Sequence, residues 1–182
     1  MADDSLFQIN LVTPERILLS GMASEVILRT GEGDVTFLAG HTPLVGTVQP
    51  GVVRVVRPET DDARVAVHGG FTQVEQHVDL DAPDAEADAN GTRVTLLIGV
   101  AELAEEIDVD RARVALEAAE ARVAELGGAT NRTPGEDDEP DPQLVAAEAA
   151  LRRAQVRLEA VDGIGHAGRV DLEALTDLAQ RQ

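Results

Sequence analysis

The sequence predicts an antiparallel β-sandwich or barrel followed by two helices packed as a hairpin. Two observations carry this. Apolar residues recur with period two between residues 5 and 100, and at alternating steps of three and four from Asp108 onward. A third observation is the polar stretch Gly127–Pro142, which separates two helical patterns and reads as a linker.

Phe7, Ile9 and Leu11 alternate with Gln8 and Asn10; Val26 and Leu28 alternate with Glu25, Ile27 and Arg29. Gly31-Glu32-Gly33-Asp34 reads as a hairpin turn, with glycine supplying a positive φ, and Val35–Leu38 continues as strand. His41 follows Gly40 and precedes Thr42-Pro43, a tight corner where a structural hydrogen bond is expected. Gly51–Arg57, Ala63–Gly70, Phe71–Leu80 and Arg93–Gly99 are further Val-rich runs. Thr13-Pro14, Pro50-Gly51 and Pro58–Asp62 supply turns between runs. Asp81–Thr92 is polar and acidic, and is expected to be a surface loop between two strands.

Asp108 is a suitable N-cap for a first helix. Its seam is Val109, Ala112, Leu116, Ala119, Val123 and Leu126, and Gly127-Gly128 are expected to stop it. Asp141 caps a second helix, with Pro142 at its first position and a seam of Leu144, Ala147, Leu151, Ala154, Leu158 and Val161. Glu148 and Arg152 are spaced for an i, i+4 ion pair. Each Leu→Ala exchange in such a seam gives up about 0.8 kcal/mol per missing CH2. The alanine-rich pair therefore packs closely but gains little. It reads either as a permanent antiparallel pair or as one able to exchange partners. The tail after Val161 opens with glycines and contains a candidate short helix, Asp171–Ala179.

Composition narrows function. Of 182 residues, 43% are hydrophobic and 2% aromatic, so the core must be built from Val, Leu, Ile and Ala. Fifteen basic residues, all arginine, face 34 acidic ones, for a net charge of −19. That charge opposes binding to nucleic acid or an anionic leaflet and favours protein partners with basic surfaces. Cysteine is absent, which removes disulfides, thiol nucleophiles and Cys-type zinc sites. The N-terminus lacks a signal-peptide pattern, and no apolar run approaches the ~20 residues of a membrane helix, so a cytosolic-type chain without direct membrane insertion is expected.

The sequence contains no catalytic constellation. A phosphate loop needs Gly-Lys-Ser/Thr before a helix, and this chain contains no lysine. His41, His68, His77 and His166 show no metal-site spacing, and no metal is expected. Ser5, Ser20 and Ser24 lack the context of a nucleophile elbow. A small hydrolase using His41 or His68 with nearby carboxylates is a remote reading.

Taken together, several stretches resemble the epsilon-subunit family of bacterial F-type ATP synthases. They are "LVTPERILLSG" (Leu11–Gly21), "TGEGDVTFLAGHTPLVGTVQPGVVRV" (Thr30–Val55), "VHGGFTQV" (Val67–Val74), "VTLLIGVAELAEEIDVDRARVALEAAEARV" (Val94–Val123) and "LVAAEAALRRAQVRL" (Leu144–Leu158). The G-E-G-D turn followed by G-H-x-P-L is the most specific element. The resemblance implies about ten antiparallel strands in a sandwich over residues 1–100. It implies a two-helix hairpin over 101–161; the acidic linker at 127–142 and the 81–92 loop exceed what the family usually carries, and 162–182 is left as a C-terminal extension.

The resemblance also implies a non-catalytic rotor subunit on the central stalk, bound to the gamma subunit and the c-ring at the cytoplasmic face of the bacterial membrane. Its hairpin would lie against the sandwich or extend toward the alpha and beta subunits to inhibit ATP hydrolysis. Glu32, Asp34, His41, Pro43 and Leu44 would face the c-ring or gamma, as a turn and corner at one end of the sandwich. Solvated turn residues are the alternative for Glu32 and Asp34.

No cofactor is required by the family; the one ligand implied is regulatory ATP. "AELAEEIDVDRA" (Ala101–Ala112) is similar to the I/L-D-x-x-R-A motif of ATP-binding members. It nominates Glu102, Ile107, Asp108, Arg111 and Ala112, with Arg153 and Arg157 from the second helix for the phosphates. Ala118 departs from the pattern, which carries another arginine there. The competing reading is a free-standing sandwich and coiled-coil adaptor for an unrelated basic protein, which co-purification with gamma separates from the rotor reading.

Overall fold

The computed structural model describes residues 5–58, 60–76, 91–129 and 141–162. In chain order the strands are β1 (Phe7–Val12), β2 (Ile17–Ala23), β3 (Glu25–Thr30), β4 (Gly33–Phe37) and β5 (Leu44–Val48). They continue as β6 (Gly51–Val56), β7 (Ala63–Val67), β8 (Gly70–Gln76), β9 (Thr92–Ile98) and β10 (Ala101–Leu103). A 3-10 turn, Ala104–Glu106, leads into α1 (Val109–Ala129) and α2 (Pro142–Asp162).

The strand order is β10-β7-β6-β3-β5-β8-β9-β1-β2, with β4 on the other edge of β3. Only the pair Thr30↔Val48 joins β3 to β5. The sheet therefore folds at this corner into two five-stranded layers, β4-β3-β6-β7-β10 and β5-β8-β9-β1-β2. Alternation fills the space between them: Phe7, Ile9 and Leu11 of β1 meet Val53 and Val55 of β6, Val26 and Leu28 of β3, Phe37 of β4, and Val94, Leu96 and Ile98 of β9. Burying each of the larger side chains contributes about 1.5–3 kcal/mol.

Four expectations need correction here. First, β1 and β9 pair in parallel, Ile9↔Val94 through Val12↔Leu97. These strands are far apart in sequence, so no short hairpin dictates their direction. Second, the sheet does not end at residue 100, because β10 pairs with β7 at Glu102↔Ala66. Third, Gly127-Gly128 do not stop α1, which runs on to Ala129. Two glycines in a final turn cost about 1 kcal/mol each, which a helix already nucleated over five turns tolerates. Thr92 is likewise not loop: it opens β9, is fully buried, and its Oγ1 accepts from the Gly40 N–H at 2.8 Å. Residues 81–90 of the expected loop, residues 130–140 of the linker and the 163–182 tail lie outside the described residues.

The capping predictions match the local geometry. Asp108 Oδ1 accepts from the Arg111 N–H at 3.0 Å, and Asp141 Oδ1 from the Gln143 N–H at 2.8 Å. Arg122 Nη2 donates to Gln143 Oε1 at 2.9 Å, tying the far half of α1 to the start of α2 in an antiparallel hairpin. The seam alanines Ala112, Ala119, Ala147 and Ala154 are all buried.

The hairpin lies against the sandwich, on the outer face of the β6–β7 layer. Ala66 of β7 packs with Ala104, Ile107, Ala112, Val156 and Ala160 in a second apolar cluster separate from the sandwich core. Arg64 and Ala66, successive outward positions of β7, lie beneath α2, and His68 continues their row past the strand end. Arg64 Nε donates to the Ala160 carbonyl at 3.0 Å and its Nη2 to the Glu159 carbonyl at 3.3 Å. A cation on the terminal carbonyls of a helix also complements its dipole. Arg152 Nη2 reaches the Pro50 carbonyl at 3.4 Å rather than pairing with Glu148.

Candidate functional site

The residues nominated for a nucleotide converge where β10, α1 and α2 meet. Glu102, Ile107, Asp108, Arg111, Ala112 and Arg157 line one pocket of about 340 Å3, together with Glu106 and Ala115. Volumes of roughly 300–1,000 Å3 suit small ligands, so this one is at the lower end. Arg153 does not line it. It lies one turn earlier on α2, and is exposed.

All but one of the charges in the pocket already have partners. Arg157 Nε donates to Glu102 Oε1 at 2.9 Å and Oε2 at 3.1 Å, and its Nη2 also bonds Oε1. The pair is about two-thirds shielded, with side-chain exposures of 31% and 32%, so it is stronger than a surface ion pair. Asp108 is occupied as the α1 cap. Glu106 pairs with Arg16 Nη2 at 2.9 Å, linking the β1–β2 turn to the start of the hairpin. Arg111 is the guanidinium with no ion pair among the described residues of this pocket. A triphosphate entering here would have to take Arg157 away from Glu102.

The residues nominated for partner contact do not form one patch, contrary to expectation. Thr30↔Gly33 closes the β3–β4 hairpin, and the Gln49 N–H donates to the Arg29 carbonyl at 2.8 Å. Glu32 and Asp34 therefore sit at the end of the sandwich that carries the β5–β6 turn. His41, Pro43 and Leu44 are at the opposite end, since β4 runs away from the turn and β5 runs back. There Gln76 Nε2 donates to the Gly40 and His41 carbonyls at 3.3 and 3.4 Å. Sequence proximity misled because each strand spans the body of the sandwich.

Gly33 has φ +129°, a conformation open to glycine, which shapes the turn as expected. Arg29 Nε donates to Asp34 Oδ1 at 2.8 Å, and this hydrogen bond holds the Asp34 carboxyl below the usual carboxylate range. Asp34 and Arg29 line a small hollow with Arg152 and Glu159 of α2, so this turn adjoins the docked hairpin. The Nδ1–H of His41 donates to the Thr42 carbonyl at 2.8 Å, and its ring meets Phe37 edge-on at 4.9 Å, the structural role expected of a corner. His41 and His68 are at opposite ends of the sandwich, and neither hydrogen-bonds a carboxylate among the described residues.

One surface feature was not anticipated. On the outer face of the second layer, register pairs Ile17 with Val12, Val12 with Leu97, and Leu97 with Phe71. Ile17, Leu97 and Phe71 are 65%, 49% and 58% exposed, and Val45 nearby on β5 is 73% exposed. An apolar stripe thus crosses four strands on the face turned away from the helices. The signal was available: Leu97 breaks the alternation of β9 with an apolar residue at an outward position.

The pattern for the ATP synthase delta/epsilon chain β-sandwich domain matches residues 6–79, and that for the delta/epsilon chain long α-helix domain matches residues 105–162. The chain belongs to the ATP synthase delta/epsilon family. Curated relatives agree with this membership. The ATP synthase epsilon chain of Moorella thermoacetica is 39% identical over 156 residues, covering 86% of this chain and 96% of that one. The epsilon chain of Symbiobacterium thermophilum is 36% identical over 167 residues, covering 91% and 98%. That of Thermobifida fusca is 43% identical over 122 residues, covering 66% and 79%. Among solved structures, a chain of the Euglena gracilis mitochondrial ATP synthase assembly of OSCP, F1 and c-ring shares the fold with a TM-score of 0.54 at 22% identity, covering 91% of this chain and 82% of that one. The family's sandwich-then-helices order is the order found here.

Proposed function

We propose that this delta/epsilon-family chain is a non-catalytic subunit of the central stalk of a bacterial F-type ATP synthase, peripheral at the cytoplasmic face of the membrane. It rotates with gamma and the c-ring and so couples proton flow to ATP synthesis. The observation that carries this reading is the Ile17–Val12–Leu97–Phe71 stripe: a contiguous exposed apolar band on an otherwise acidic chain marks a protein interface. Gamma is its proposed occupant. The exposed Pro43 and Leu44 adjoin Val45 on the same layer and are assigned to gamma as well. Glu32, at the other end, is offered to basic loops of the c-ring; Asp34 is already engaged by Arg29. No helix among the described residues is long and apolar enough to cross a membrane. Assembly tests the reading: a tagged chain recovers gamma and the c-ring from membranes, and recovery of neither contradicts it.

The hairpin is the regulatory part of this proposal. Docked, it is kept from the alpha and beta subunits; released, it extends along gamma and inhibits hydrolysis. Regulatory ATP is proposed for the pocket between Glu102, Arg111 and Arg157. Its phosphates take Arg157 from Glu102, and because the site spans sandwich, α1 and α2, binding favours the docked form by mass action. Calorimetric titration is expected to show ATP binding that Arg157→Ala removes; no heat up to millimolar ATP excludes this ligand.

A further inference from the structure

His68 is half-buried, directly after the end of β7. Both ring nitrogens are closed off from solvent, and neither has a hydrogen-bond partner among the described residues. A buried polar group left unsatisfied costs free energy, and charging it costs far more. The ring's position explains its surroundings. Alternation along β7 turns Arg64, Ala66 and His68 outward, about 6.6 Å apart per step. Arg64 reaches Ala160 and Ala66 packs with Val156 and Ala160, so the next outward step, His68, falls toward the preceding turns of α2, within electrostatic reach of Arg157 and Arg153.

The groups acting on the ring come from two elements. Arg157 and Arg153 of α2 oppose a positive charge there, and Glu102 of β10 favours one. Glu102, however, is held in its ion pair with Arg157. The backbone N–H of His68 is itself engaged, donating to the Val100 carbonyl at 3.1 Å.

We propose that His68 is a proton-operated latch for the hairpin: the neutral ring lies under α2, and the imidazolium drives α2 off the sheet. On release the ring is hydrated, both arginines depart with the helix, and Glu102 is freed to face the imidazolium. Burial first, then Arg157, holds the docked ring below its ordinary histidine range. The released form therefore binds the proton more tightly. Docking is unaffected above the ordinary value of about 6.5 and weakens as pH falls below it, by at most about tenfold per pH unit for one proton. The latch belongs to the isolated chain and does not rest on its place in a stalk.

The cysteine-free sequence makes the test direct. Glu15→Cys and Glu148→Cys, both exposed, carry a donor and an acceptor dye on the sandwich and on α2. Energy transfer is expected to be steady from about pH 8 to about pH 7 and to fall toward about pH 5, while the far-ultraviolet strand signal holds. His68→Gln keeps transfer high across the range; His68→Arg lowers it at every pH. Should His68→Gln fail to fold, His68→Asn takes its place. A pH-independent wild type, or a fall shared equally by the glutamine or asparagine variant, overturns the latch and leaves the stalk assignment untouched.

Discussion

Ala160→Arg is expected to detach the hairpin while leaving the sandwich folded. Ala160 is fully buried against Ala66, itself fully buried, and its carbonyl receives Arg64. A long cation there overfills an alanine-sized space and faces a like charge. Released, the same arginine is hydrated on a helix that favours it. The docked form should lose at least about 3 kcal/mol, a factor above a hundred, from overpacking and unpaired charge together. Dye transfer between the sandwich and α2 should drop at neutral pH, with the sandwich's thermal midpoint unchanged. In membranes, the proposed inhibitory role then requires slower ATP hydrolysis than in wild type. Unchanged transfer would mean that this contact is not what holds α2.

Gly70→Ala is expected to be the most damaging single methyl in the sandwich. A Cβ at Gly70 would lie 2.2 Å from the Leu97 carbonyl oxygen and 2.9 Å from Ile98 Cδ1. The nearest atom is backbone of the adjacent strand. β8 is also paired on both edges, with β5 and β9, so neither side can give way cheaply. The expected cost is about 3 kcal/mol, which for a domain of this size lowers the thermal midpoint by roughly 12–24 °C. Circular dichroism melting measures it. Gly127→Ala, where nothing lies within 4 Å, is the matched control and should stabilise the final turn of α1 slightly. Equal midpoints for Gly70→Ala and wild type would contradict the packing described.

The parts legible in the sequence are those where one face meets a core and the other meets water. β1, β3, β6 and β9 alternate cleanly because each has that environment. β2, β5 and β10 were not distinguished. β2 is largely exposed, β5 places Gly46 mid-strand, and β10 has three residues, none fully buried. The hairpin's seam was readable at every position, but its second face was not. Val156 and Ala160 sit four apart beside the seam, and Ala63-Arg64-Val65-Ala66-Val67 is apolar on both sides of Ala66, the mark of a strand covered twice. Read together, these would have placed α2 on β7. The candidate pocket was legible because six of its seven nominated residues are fixed by one turn-and-cap motif and one helical arginine. Arg153 missed it by a turn, since it shares a helix face with Arg157 and spacing alone does not say which turn of that face stands opposite the α1 cap.

The central claim is that the chain grips its stalk partner with the face opposite the docked helices. Recovery of gamma by two tagged variants tests it most directly. Leu97→Glu places a carboxylate in the middle of the apolar stripe, whereas Val114→Glu places one on the outer, 66%-exposed side of α1. The account predicts that Leu97→Glu loses gamma while Val114→Glu recovers it as wild type does. Full recovery by Leu97→Glu, with loss in Val114→Glu, would contradict it.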